Sequence, residues 1–76
     1  MRPRYLLYVR LGCHLCTDAY ARLSAQGIAV QRVNIDREPQ LQEQYDSIIP
    51  VLYDTDTDQE LLYPFDADDI RRFCCP

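Results

Sequence analysis

Tryptophan and lysine are both absent from this chain of 76 residues. Without lysine, the basic side chains are eight arginines, set against twelve acids for a formal net charge of −4. Nucleic acid prefers the opposite sign, and no basic run appears, so no nucleic-acid partner is expected. Also missing is any apolar run near the roughly 18 residues that a membrane span requires. Met-Arg-Pro-Arg leads at once into strand-like residues. Neither the apolar segment nor the small-residue cleavage site of a signal peptide is present. These absences point to a cytoplasmic protein that is monomeric and makes no membrane contact. Repeats, linkers and low-complexity segments are lacking too, so residues 1–76 are expected to form one domain. A domain of this size buries only roughly 60% of its unfolded surface.

What is present is a chain with 47% hydrophobic and 26% charged residues, an ordinary balance that argues against disorder. It has four cysteines, Cys13, Cys16, Cys74 and Cys75. In a cytosolic chain, redox or metal chemistry is the better prior for them than a disulfide framework. Cys13-His14-Leu15-Cys16 falls where two patterns meet. Residues 4–9 are aromatic and branched and read as a strand buried on both faces. From Cys13 to Gln26 the apolar residues recur at helical spacing, with Leu15, Ala19 and Leu23 on one stripe and Cys16 and Tyr20 beside it. Cys13 thus starts a helix, and Cys16 lies one turn into it. A C-x-x-C in this setting reads as a thiol redox motif.

Gly27 is placed as the left-handed residue after that helix, with Ile28 as its apolar contact. Residues 29–35 read as a second strand, completing a β-α-β unit with parallel strands. Pro39 suits the first position of a short helix over 39–45, whose Leu41 and Tyr45 share a face. Pro50 marks the beginning of a third strand over 51–54. Residues 54–58 are a turn, residues 59–63 a fourth strand, and Pro64 ends the hairpin. Asp66 caps a last helix whose apolar face is Ala67, Ile70, Phe73 and Cys74. The order β-α-β-α-β-β-α predicts an α/β fold with a four-stranded mixed sheet and helices on its faces.

This order of elements, the C-x-x-C after the first strand and Ile49-Pro50-Val51-Leu52 before a hairpin together resemble the glutaredoxins of the thioredoxin-like fold, in a compact divergent branch. The likeness spans about Arg4 to Phe73. Arg10-Leu11-Gly12-Cys13-His14-Leu15-Cys16 is similar to the glutaredoxin active-site segment, which commonly has a basic residue three before the first Cys. The pair between the cysteines departs from the usual Pro-Tyr. Leu62-Tyr63-Pro64-Phe65 stands where typical members have Gly-Gly. The resemblance implies a thiol–disulfide oxidoreductase acting on protein or glutathione disulfides and served by a reductase system. It implies no tightly bound cofactor, with glutathione as a co-substrate. Pro50 resembles the family's cis-proline. A cis Ile49-Pro50 bond would set the Ile49 backbone beside Cys13, where an extended substrate could pair as an added strand. Asp66 stands where the family recognises part of glutathione.

The chemistry assigns the two cysteines different parts. Cys13, at a helix N-terminus, faces unsatisfied N–H groups and the positive end of the helix dipole, which favour the thiolate. Arg10 adds positive charge if its side chain turns to the sulfur, and His14 adds more when protonated. The blander reading of His14 is a solvent-facing residue. Cys16, more buried, would resolve the mixed disulfide formed at Cys13. The alternatives are a non-catalytic thioredoxin-fold module holding a partner protein along the Pro50 edge, and a zinc protein using all four cysteines. The zinc reading is weakened because adjacent Cys74 and Cys75 cannot easily both face one ion. Cys74 is expected to pack under the last helix, and Cys75 to be reactive by exposure. Asp54-x-Asp56-x-Asp58 begins like a calcium loop but lacks the Gly and Glu that complete one, and reads as a turn.

Overall fold

The structure is a computed structural model that describes residues 3–74. The expected reactivity of Cys75 lies outside them. The elements are β1 (Tyr5–Val9), α1 (His14–Ala25), β2 (Gln31–Asn34), a 3₁₀ turn over Ile35–Arg37, α2 (Pro39–Tyr45), β3 (Val51–Asp54), β4 (Gln59–Leu62) and α3 (Ala67–Cys74). The sheet order is β2-β1-β3-β4. β1 pairs parallel with β2 and antiparallel with β3, and β3–β4 is the hairpin. This is the four-stranded mixed sheet anticipated from the order of elements. The second strand is shorter than expected, starting at Gln31 rather than Ala29. Ile35 leaves it because Asn34 turns the chain, its side chain accepting from the Asp36 N–H at 3.0 Å.

β1 is the central strand, and its side chains divide the core into two layers. Tyr5 and Leu7 join Ala19 and Leu23 of α1, Leu52, Phe65, and Ile70 and Cys74 of α3. Tyr8 joins Ile35, Tyr45 and Val51 on the opposite face, with Leu6, Val33 and Leu41 packed alongside. The near-continuous apolar run in β1 is therefore the alternation of a strand covered on both faces. The Tyr8 ring stacks on Tyr45 at 4.6 Å between centroids, which seats α2 on the sheet.

The buried stripe of α1 is Cys16, Ala19 and Leu23, not the one led by Leu15. Leu15 is 52% exposed. Both stripes share Ala19 and Leu23, and spacing alone could not choose between neighbours one position apart. The end of α1 matches expectation. Gly27 has φ +73°, and its N–H donates to the Ser24 carbonyl at 3.0 Å while the Ile28 N–H donates to the Leu23 carbonyl at 3.0 Å. This is the Schellman arrangement that a Gly after a helix supports.

Asp54, at the end of β3, is buried and charged. Its carboxylate accepts from Arg4 Nε and Nη2, each at 3.1 Å, and from the Asp56 N–H at 2.9 Å. These donors hold its pKa below the usual carboxylate value, the Arg4 contact contributing most. Stability from this group is fully present above the unfolded-state pKa of about 3.9 and is lost as pH falls through the lower folded value. Asp54→Asn should flatten that acid limb of the stability curve and lower the Tm at neutral pH. Thermal melts of both proteins across the acid range check this.

Candidate active site

Gly12, with φ +78°, turns the chain from β1 into α1. The Cys13 N–H then donates to the Arg10 carbonyl at 3.3 Å. Cys13 is the N-cap of α1 rather than its first helical residue, with extended backbone at φ −90° and ψ 110°. Its carbonyl accepts the first helical bond, from the Thr17 N–H at 3.2 Å. Its sulfur accepts from the Cys16 N–H at 3.1 Å. The sulfur thus occupies the place that a Ser or Asp oxygen takes in an ordinary helix cap.

Cys13 is half-buried, while Cys16 is 4% exposed. Burial pushes the Cys16 thiol up to about 11, and the neighbouring Cys13 pushes in the same direction. His14, the first residue of α1, is exposed.

Arg10 does not offer its charge freely to the sulfur. Its Nε lies 3.0 Å from each Asp36 oxygen, and its Nη2 bonds both Asp36 and Asp46. One guanidinium therefore ties the segment before Cys13 to the 3₁₀ turn and to the residue that follows α2. Sequence spacing does not reveal these partners, which are 26 and 36 residues away.

The Ile49-Pro50 peptide is cis. The register pairs Tyr8 with Val51, so the next step sets Pro50 against Val9, at the Cys13 end of the sheet. Among the described residues, no backbone partner is found for the Ile49 N–H or carbonyl. Leu11, Leu15 and Ile48 are 82%, 52% and 41% exposed and all belong to this end. The sequence signal for this apolar rim was available but ambiguous, since Leu15 also fits a helical core stripe.

Asp66 has a different setting. It caps α3 reciprocally with Asp69, each side chain accepting the other's N–H at 2.9 and 3.1 Å. The preceding segment is fastened to α1: Tyr63 Oη donates to Asp18 at 2.7 Å, and Arg22 Nη1 to the Phe65 carbonyl at 3.1 Å. Phe65 is buried in the core. Bulk thus occupies the position where typical glutaredoxins have Gly-Gly. The carboxylates of α3 are engaged by the cap and by Arg71 and Arg72.

The zinc reading finds no assembled ligand set. Cys74 lies at the Tyr5 end of β1, where its carbonyl accepts from Tyr5 Oη at 3.1 Å. Cys13 lies beyond the other end. Among the described residues, no three His, Cys, Asp or Glu side chains come together to hold a metal ion. No helix among them is long and apolar enough to cross a membrane.

A cleft of about 170 Å³ opens beside the dithiol, between α1 and β2. Cys13, Cys16, Thr17, Tyr20 and Arg32 line it. Tyr20 and Arg32 carry no motif signal, and only the β1–β2 pairing brings Arg32 to α1.

A family profile described as Glutaredoxin-like domain (DUF836) matches residues 4–74. The chain belongs to this glutaredoxin-like family. Among solved structures it is similar to the structural-genomics target XcR50 from X. campestris, at 37% identity. That match covers 92% of this chain and 93% of that one, with a TM-score of 0.84. It also resembles Ne2328 from Nitrosomonas europaea, at 32% identity, covering 96% of this chain and 93% of that one, with a TM-score of 0.80. No curated protein gives a significant match. The glutaredoxin-like fold read from the sequence is therefore the fold of this chain.

The unequal surroundings of the two thiols have a direct readout. Near neutral pH, iodoacetamide should modify Cys13 and spare Cys16. Cys16 should react with unfolding, or as pH rises toward about 11. Peptide mapping after timed alkylation checks this.

Proposed function

We propose that the protein is a thiol–disulfide oxidoreductase, with Cys13 as nucleophile and Cys16 as resolving thiol. The observation that carries this reading is the 3.1 Å bond from the Cys16 N–H to Cys13 Sγ, with the Cys16 thiol buried behind it. A purely structural cysteine has no need of a helix N-terminus.

In the first step Cys13 S⁻ attacks one sulfur of the substrate disulfide. A Cys13–substrate bond forms, the substrate S–S bond breaks, and the departing thiolate takes a proton from solvent. In the second step Cys16 loses its proton and attacks Cys13 Sγ. The Cys13–Cys16 disulfide forms and the second substrate thiol leaves. The substrate gains two electrons from the dithiol and two protons, one released by Cys16 and one from solvent. An external thiol reductant, either glutathione or a reductase system, returns the protein to its starting state.

The raised pKa of Cys16 helps to order these steps. Part of the rise comes from its neighbour Cys13. Once Cys13 is bound into the mixed disulfide, its contribution is gone and Cys16 ionises more readily. Burial raises it in both states, so the change at Cys13 is what separates the two steps.

The exposed Leu11, Leu15 and Ile48 favour protein disulfides as substrates, because an apolar rim suits contact with another polypeptide surface. The unpartnered Ile49 backbone offers an extended substrate a place to pair. Glutathione disulfide is a second substrate, with the exposed His14 as a further contact. A cytoplasmic location fits the reductant this chemistry needs.

Cys13→Ser should lower disulfide reduction on the order of 100-fold or more, because the nucleophile is gone. Cys16→Ser should instead accumulate a mixed disulfide at Cys13, visible by intact mass. Wild-type rates from the Cys13→Ser protein would sink the assignment.

A further inference from the structure

The arginines of this chain are unequally engaged. Arg4, Arg10, Arg22, Arg71 and Arg72 each sit on a carboxylate. Among the described residues, Arg32 has no carboxylate partner. Its guanidinium instead lies over the Tyr20 ring, 4.4 Å from the centroid. This stacking orients the group without using its donors, since a ring face engages the planar cation and leaves the N–H edge open. Arg32 is exposed on β2, at an edge of the sheet.

The charge stands beside the reacting sulfurs. Arg32 and Tyr20 line the same cleft as Cys13 and Cys16. Across β2 a shallower hollow holds Arg32 again, with Arg37 and Glu38. Arg37 likewise has no carboxylate partner among the described residues. Arg10 also lines the cleft but is matched by Asp36 and Asp46, so the cations on this side that carry no carboxylate among the described residues are Arg32 and Arg37. A cleft of about 170 Å³ admits a side chain, not a folded surface.

We infer that this cleft is a carboxylate-binding subsite for the disulfide substrate. Arg32 is the anion contact, Tyr20 the platform that aims it, and Arg37 a second charge in the adjoining hollow that Arg32 also lines. The inference rests on the thiol-exchange reading and adds a substrate class to it: disulfides flanked by acidic groups. The subsite lies on the β2 side of Cys13, away from Pro50 on the β3 side. It therefore acts in addition to backbone pairing at Ile49. The carboxylate comes either from an acidic residue beside a protein cysteine or from a small peptide thiol such as glutathione.

The test compares two probes, the symmetrical disulfides of acetyl-Glu-Cys-Glu-amide and acetyl-Gln-Cys-Gln-amide. Arg32→Gln should raise KM about tenfold for the acidic probe, as loss of one charge-assisted contact implies, and leave the amide probe unchanged. The preference should fall with added salt. Arg32→Lys should recover part of it, because a point charge replaces the fork. Oxidised glutathione forms a parallel arm, and the source is assigned to whichever acidic disulfide loses more.

A binding measurement separates the subsite from the chemistry. Acetyl-Glu-Ser-Glu-amide, which carries no sulfur, should shift the Arg32 Nε–H and Tyr20 ring resonances of the reduced wild type but leave the Tyr20 ring resonances of the Arg32→Gln protein in place. The same spectra report whether that variant is folded. Binding without any disulfide reduction would leave the subsite standing and remove the exchange reading. Absence of those shifts, or an equal loss for both peptide disulfides in Arg32→Gln, overturns the subsite.

Discussion

The hydrogen bond from the Cys16 N–H to Cys13 Sγ joins local folding to chemistry. A helix begins with orphan N–H groups, and a protein commonly satisfies one with a side-chain oxygen. Here sulfur takes that place. Gly12, with its positive φ, makes the turn that delivers Cys13 to the cap position. β1, covered on both faces, fixes where the turn occurs. α1 then carries Cys16 into the protein on the same stripe as Ala19 and Leu23. One bond thus sets the spacing of the two sulfurs, the start of α1 and the contrast between an accessible thiol and a buried one.

Around that centre, charge is distributed by partner choice more than by amount. Ion pairs exposed along α3 contribute little to stability. The Arg10 contacts matter in another way, because they fasten the loop before Cys13 to two distant segments. With Asp36 and Asp46 claiming Arg10, the uncompensated positive charge near the dithiol belongs to Arg32, on the neighbouring strand. The basic residue that a motif comparison selects and the one left open for a ligand are therefore different residues.

Much of this was legible in the sequence because local rules decided it. Gly27 and Ile28 announce the end of α1, Asp66 the start of α3, and Pro39 and Pro50 the beginnings of α2 and β3. The glutaredoxin-like fold followed from the order of those signals. Leu15 was misread because two stripes one residue apart are equally apolar. Only the seating of α1 on the sheet, which buries Cys16 and leaves Leu15 exposed, chooses between them. Arg10's partners, the Arg32–Tyr20 contact and the fastening of Tyr63 and Phe65 to α1 depend on pairings between remote segments. A sequence shows the residues there but not the register that joins them.

Using a cysteine sulfur as a helix cap would link any oxidation of Cys13 to the integrity of α1. A disulfide sulfur is neutral and accepts a hydrogen bond less strongly than a thiolate, so oxidation at Cys13 weakens the first turn of α1. A cap contributes about 0.5–2 kcal/mol, and about 1.4 kcal/mol corresponds to about 30 mV for a two-electron couple. Closing the thermodynamic cycle, whatever α1 loses on oxidation appears as a stronger tendency of the disulfide to be reduced. On the proposed thiol-exchange reading, the helix would thereby shift the poise of the dithiol toward the oxidising side, without any further charged residue.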